Sequence, residues 1–194
     1  MGDLQVWVNL APRCIVWGGL VDMVGMLLAR TGVPAQRLVL ELAESTLANE
    51  RAAEARLAGL RRLGVAIAVD DFGAGHSSLG RLKALPLDIL KIDRAFVATA
   101  ASDERDRGIV RTIAALSTNL KLTPIAEGIE TVEQLQILHE CGCELGQGYL
   151  FARPMPADQL GAWVAAWHGE RRAAFRAVCA GSHGKLLGRP RSVA

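Results

Sequence analysis

Six short β-rich runs recur along this 194-residue chain, at 4–9, 37–42, 65–70, 88–92, 122–126 and 144–146, with helical patterns between them. The run Val65-Ala66-Ile67-Ala68-Val69 is apolar throughout, as a strand in a parallel sheet buried on both faces must be. Longer helical patterns fall near 16–30, 50–63, 103–119 and 131–141, shorter ones at 78–83 and 94–100, and a last one at 157–167. Thr131 is placed to cap its helix, with Gln134 three residues on as in a capping box. Gly64 stands where the helix before it needs a left-handed end. Alternation of this kind builds either a doubly wound sheet or a (β/α) barrel. No Gly-x-Gly-x-x-Gly follows the first run, so a dinucleotide fold gains no support.

The polar residues narrow the choice. Asn9 ends the first run and Glu41 lies near the end of the second. Asp70 and Asp71 end the third, Lys91 and Asp93 the fourth, Glu127 the fifth, and Gln147 follows the sixth. In a barrel the carboxyl ends of the strands meet at one mouth, where catalytic groups collect. Taken singly, a strand-end Asp is commonly a helix cap or turn former, and Glu41 alone reads as a buried ion-pair partner of Lys91. Six consecutive strand ends are a different matter. Asn, carboxylates, Lys and Gln at one mouth make a hard, oxygen-rich site suited to Mg²⁺ or Mn²⁺ rather than zinc. Two such cations would neutralise the carboxylates, and the adjacent Asp70-Asp71 pair is the natural bridge between them.

Charge and cysteine usage exclude little else. Residues 168–194 carry six Lys or Arg against Glu170, which leaves 16 basic and 19 acidic groups in residues 1–167. That segment reads as a basic, disordered tail; nucleic-acid binding through it is the weaker reading, since Phe175 is its one aromatic residue. Cys14, Cys141, Cys143 and Cys179 form no Cys-x-x-Cys pair and read as reduced thiols of a cytosolic protein. The best membrane candidate, 16–29, is too short and is broken by Asp22. A cytoplasmic location is expected.

Read in order, Val8-Asn9-Leu10, Glu41-Leu42-Ala43-Glu44-Ser45, Asp70-Asp71-Phe72-Gly73, Leu90-Lys91-Ile92-Asp93-Arg94, Ala126-Glu127-Gly128-Ile129-Glu130-Thr131 and Gln147-Gly148-Tyr149-Leu150-Phe151 resemble the successive signatures of the EAL phosphodiesterases. Arg153-Pro154-Met155-Pro156-Ala157 resembles that family's closing motif. The resemblance runs from about residue 4 to 167 at family-like spacing. It implies a TIM-like (β/α) barrel that hydrolyses cyclic di-GMP to pGpG with two divalent ions, Mg²⁺ or Mn²⁺. It implies that Asn9, Glu41 and Asp70 hold one ion, and that Asp70, Asp71 and Glu127 hold the other. Lys91 would sit by the attacking water, and Glu44 would brace the loop after Asp71. Lys91, Glu127, Asp71 and Glu44 are thus the implied catalytic set. Gln147, Asp93 and Arg94 would meet the substrate, and Glu130 would support the rim.

Two departures accompany the resemblance. Ala74 and His76 stand where the family carries Thr and Tyr, in a loop that couples the metal site to dimerisation. The family's first two strands, one bearing the Glu-Ala-Leu motif with a metal-binding Glu, are not in this sequence. The expected architecture is therefore an incomplete barrel, about six of eight strands, over residues 1–167. The chain reads as part of a longer domain, a homodimer when complete, with a GGDEF or sensor domain upstream. The competing class is a module that binds cyclic di-GMP, or another protein, without catalysis.

Overall fold

The computed structural model describes residues 4–48, 50–73 and 79–167. The tail at 168–194 and the substitutions at Ala74 and His76 lie outside the described residues. Six strands form one sheet: β1 (Val6–Asn9), β2 (Leu38–Ala43), β3 (Ala66–Phe72), β4 (Ile89–Ile92), β5 (Thr123–Ala126) and β6 (Leu145–Gly146). Every pairing is parallel and the order is sequential from β1 to β6. The helices are α1 (Pro12–Ile15), α2 (Leu20–Thr31), α3 (Glu50–Leu63), α4 (Leu79–Ala84), α5 (Arg94–Thr99), α6 (Glu104–Asn119), α7 (Val132–Glu140) and α8 (Ala157–Ala166). The sheet curls into a half-barrel, six of the eight strands of a TIM-like fold, with β1 and β6 at its edges.

Side chains alternate across a strand, and two separate apolar clusters record that alternation. The larger joins the outward residues Leu40, Leu42, Ile67, Val69, Leu90 and Ile92 to helix residues such as Leu20, Leu57, Leu60 and Val110. The smaller lines the concave side: Val39, Ala68, Ile89 and Ile125, with Trp7 and Leu145 packed on them. One such residue comes from each strand. Two positions further along the same strands stand Asn9, Glu41, Asp70, Lys91, Glu127 and Gln147. An apolar layer therefore floors a polar one, as the layered interior of a barrel requires. Val6 and Val8 on the outer face of β1 are exposed, at 51% and 43%.

The elements follow the sequence reading closely, with one correction. The pattern at 16–30 is not helical from its start: α1 ends just before it at Ile15, residues 16–19 form a break, and α2 begins at Leu20. The break is built around Trp17: its ring lies where a Cβ on Gly19 would come within 2.6 Å, and its carbonyl accepts a 2.9 Å bond from Arg56 Nε. The capping box at Thr131 and Gln134 is formed, and Gly64 adopts φ +94°. Among the described residues, no helix is long and apolar enough to cross a membrane.

Gly148 anchors the mouth end of the last strand. A Cβ there would lie 2.1 Å from the Ile129 carbonyl oxygen and 2.2 Å from its nitrogen, so backbone would have to move. Ile129 N–H donates to the Gln147 carbonyl at 3.0 Å, which ties that clash to Gln147. Gly148→Ala is predicted to cost about 2–3 kcal/mol in equilibrium urea denaturation. Gly142→Ala, with φ +85° but nothing within 4 Å, should cost only about 1 kcal/mol. Equal losses would contradict the packing described.

Candidate active site

Lys91 is the buried centre of the polar layer, 2% exposed. Its ammonium contacts Glu41 Oε1 at 2.9 Å and Asp70 Oδ1 at 2.8 Å, and it also pairs with Glu127 Oε1. The same Glu127 oxygen accepts a 2.9 Å bond from Gln147 Nε2. Four neighbouring strands thus converge on one cation, and the sixth orients one of its anions. The ion pair that Glu41 alone suggested is real, but it is one arm of a larger cluster.

The local backbone explains how two consecutive aspartates serve the same site. In a regular strand Asp70 and Asp71 would face opposite ways. Between Val69 and Phe72 the β3–β4 register shifts, and Asp71 takes φ +53°. A bulge re-aims side chains in this way, and a left-handed non-glycine residue costs about 1–3 kcal/mol. As a result Asp70, Asp71 and Glu127 each place one carboxylate oxygen within 4.8 Å of the others. Asp71 N–H donates to Asp70 Oδ1 at 3.1 Å, fixing one oxygen of the pair. Just beyond, buried Glu44 accepts from Gly73 N–H at 3.1 Å and anchors the start of the next loop.

Titration reflects this crowding. Burial pushes the Glu127 carboxyl up to about 7; Asp70 reinforces the shift, while bonding to Lys91 opposes it. Burial and the charges of Asp70 and Asp93 raise Asp71 against the pull of Lys91 and Arg94. Burial would lower the Lys91 pKa, but hydrogen bonds to Asp70, Glu127 and Glu41 outweigh it and hold the ammonium charged above the ordinary lysine range. Glu127 therefore carries a proton below about pH 7, in a folded state that holds it more tightly than the unfolded chain does. This group's stabilising effect is present at low pH and lost as pH rises through 7. A metal ion competes with the same proton, so affinity should rise over that range.

The remaining predicted residues lie around this centre. Asn9 stands at the end of β1 opposite Glu41, on an exposed edge. Asp93 is buried and caps α5, its Oδ1 accepting from Ala95 N–H at 2.7 Å, which is the cap role a strand-end Asp commonly has. Arg94 is exposed and lines a cleft of about 690 Å³ that opens from Glu127 and Gln147. Glu130 lines the same cleft. Sequence reasoning assigned nothing to three more of its lining residues, Tyr149, Arg153 and Trp163. No charge pattern flags them; their signal is aromatic and basic residues clustered just after the last strand.

Residues 1–154 match the sequence profile of the EAL domain. The chain belongs to the EAL domain family. It is 46% identical over 166 residues to the bifunctional diguanylate cyclase/cyclic di-GMP phosphodiesterase MucR of Pseudomonas aeruginosa, covering 84% of this chain and 24% of MucR. The solved MucR phosphodiesterase in complex with c-di-GMP superposes with a TM-score of 0.75 at 43% identity, over 80% of this chain and 64% of that one. The EAL domain of Mycobacterium smegmatis DcpA gives 0.80 at 36% identity, over 84% and 73%. Klebsiella pneumoniae BlrP1, solved as a manganese and cyclic di-GMP complex, gives 0.74 at 30% identity, over 79% and 40%. The chain spans about a quarter of the length of the curated relative MucR.

The oxygen donors of this EAL domain fit a divalent cation: carboxylates within 4.8 Å of one another, at the partly exposed rim of a cluster whose deeper anions are already paired. Removing Lys91 should expose that dependence. Lys91→Met, which keeps most of the volume, leaves Glu41, Asp70 and Glu127 buried together without a counter-charge. A stability loss of about 3–5 kcal/mol is predicted, partly restored by millimolar Mg²⁺ in urea denaturation. A loss below about 1 kcal/mol, or no response to Mg²⁺, would contradict the role given to Lys91.

Proposed function

We propose that this chain forms the catalytic region of a metal-dependent cyclic di-GMP phosphodiesterase, which releases linear pGpG. The observation that carries the reading is the convergence of Glu41, Asp70, Asp71 and Glu127 around Lys91 at the carboxyl ends of parallel strands. The solved MucR and BlrP1 complexes with cyclic di-GMP support the substrate, and the manganese complex of BlrP1 supports the metal. Residues 1–167 are the partial domain in this reading and 168–194 its basic tail. A cytoplasmic site, a homodimer and a GGDEF or sensor partner upstream belong to the same proposal.

Asn9, Glu41 and Asp70 would hold one Mg²⁺ or Mn²⁺, and Asp70, Asp71 and Glu127 the second. Bound there, the cations would supply Lewis-acid charge to the phosphodiester and acidify a water. The protein's own groups do the rest. Lys91 gathers Glu41, Asp70 and Glu127 and offsets part of their charge. Glu127 can take or release a proton near neutral pH. Gln147 holds Glu127 in one orientation through Oε1. Glu44, which accepts from Gly73 N–H, would brace the backbone just past Asp71. Asp93 keeps the first turn of α5 capped, and Arg94 at its start faces the cleft and would meet the substrate.

The test is incubation of the chain with cyclic di-GMP and Mn²⁺, with pGpG separated by chromatography. Product is expected with wild type, to fall at least about 100-fold in Asp71→Asn and Glu41→Ala and to vanish on chelation by EDTA. Tight binding of cyclic di-GMP without product would replace this reading with that of a non-catalytic receptor. Product unaffected by either substitution would remove the site.

A further inference from the structure

The sheet carries a second pocket at the end opposite the carboxylate cluster. It encloses about 300 Å³ beside Asp88 and Leu122, which immediately precede β4 and β5. The last turns of α3 and α4 and the end of α6 line it. Buried Leu82, Leu85 and Leu122 form an apolar wall, and Arg61, Lys83 and Lys121 stand around it. The acid that lines it, Asp88, is fully engaged. Its Oδ1 pairs with Arg61 at 2.9 Å, and its Oδ2 accepts from Ile67 N–H at 3.0 Å. Lys83 and Lys121 are both exposed, and among the described residues neither has an ion-pair partner. Arg61 and Asp88 therefore cancel, and two ammoniums are left over an apolar wall.

Cations at helix ends ordinarily offset the partial negative charge of the last carbonyls, which accounts for Arg61 and Lys83. It does not account for Lys121. Helix α6 ends in a Schellman motif: Leu122 N–H donates to the Ser117 carbonyl at 2.8 Å, and Lys121 N–H to that of Thr118 at 3.0 Å. Lys121 occupies the left-handed position of that motif, with φ +61°, which glycine fills without strain. A charged side chain kept there against backbone preference points to a ligand. We propose that this pocket binds a small phosphate monoester, its phosphate between Lys83 and Lys121 and its ester group against the leucines. A monoester carries a charge of about −1.5 to −2 at pH 7, which matches two unpaired ammoniums. The volume lies at the lower end of the range of about 300–1,000 Å³ for small-molecule sites, and free phosphate would leave the apolar wall uncovered. The proposal is independent of the phosphodiesterase reading, since the two clefts share no lining residue.

Amide NMR of the 194-residue chain, titrated with phenyl phosphate and with inorganic phosphate, tests this. EDTA is present throughout, so that neither probe is held by a bound cation. Phenyl phosphate should shift the amides of residues 82–88 and 121–122 and bind roughly 10-fold more tightly than inorganic phosphate. Lys83→Met and Lys121→Met should each weaken its binding about 10-fold. Lys121→Gly should weaken it as much while raising the urea midpoint, because the left-handed strain is relieved. Arg105→Gln, which removes an exposed cation roughly 24 Å away along α6, should change neither affinity nor midpoint. No shift in these amides at about 10 mM phenyl phosphate would overturn the site, and equal affinity for the two probes would overturn the monoester assignment. Equal losses in Arg105→Gln and the lysine variants would reduce the binding to unspecific charge attraction and overturn it as well. A Lys121→Gly chain that binds like wild type, or has a lowered urea midpoint, would remove the role given to Lys121 and with it the site.

Discussion

Carboxylates gathered inside a protein repel one another, and each loses its water; such a cluster forms only around a counter-charge. In this EAL domain the counter-charge is the buried ammonium of Lys91, shared by Glu41, Asp70 and Glu127. Much else in the fold serves that contact. Parallel pairing in sequential order brings β2, β3, β4 and β5 side by side, so four consecutive strand ends reach one point. The apolar floor of Val39, Ala68, Ile89 and Ile125 closes the space beneath and lowers the local dielectric. The same low dielectric that strengthens the ion pairs raises the Glu127 carboxyl to about 7. Stability and chemical readiness therefore have one origin here.

The bulge in β3 is the second necessity. Lys91 brings one positive charge to Glu41, Asp70 and Glu127, so it offsets the cluster only in part. Turning Asp71 back toward Asp70 adds anionic oxygens at the exposed rim, beyond the reach of full compensation by one ammonium. The left-handed backbone at Asp71 brings this set of oxygen donors together, and Glu44 accepts from Gly73 N–H just past it. Past this rim the site changes character, from hard oxygen donors to the flat, polarisable surfaces of Tyr149 and Trp163.

Most of the fold was legible because its elements obey simple periods. The helix after Thr131 carries both halves of its capping box, and the apolar run at 65–69 suits nothing but a buried strand. The polar positions were legible as strand ends. Their deeper regularity, a polar residue two positions after an inward apolar one in every strand, needed the register to show which face was which. Two features were not legible. Nothing in Val69-Asp70-Asp71-Phe72 announces a bulge, since a left-handed residue there is imposed by the converging strands rather than by local preference. The split between α1 and α2 depends on Trp17 folding over Gly19 and on Arg56 from another helix, contacts that periodicity within 16–30 cannot reveal. Of the cleft residues, Arg94, Glu127, Glu130 and Gln147 were legible, whereas Tyr149, Arg153 and Trp163 gained no role because aromatic and basic side chains after a strand carry no period.

The most direct measurement of the central claim is anomalous diffraction from crystals of this chain soaked in Mn²⁺. The account predicts two peaks at the mouth of the half-barrel, both against Asp70, one shared with Asp71 and Glu127 and the other with Asn9 and Glu41, with Lys91 displaced from at least one carboxylate. Absence of manganese from this cluster, with Lys91 still bridging Glu41, Asp70 and Glu127, would show that the ammonium is its permanent cation and would contradict the account.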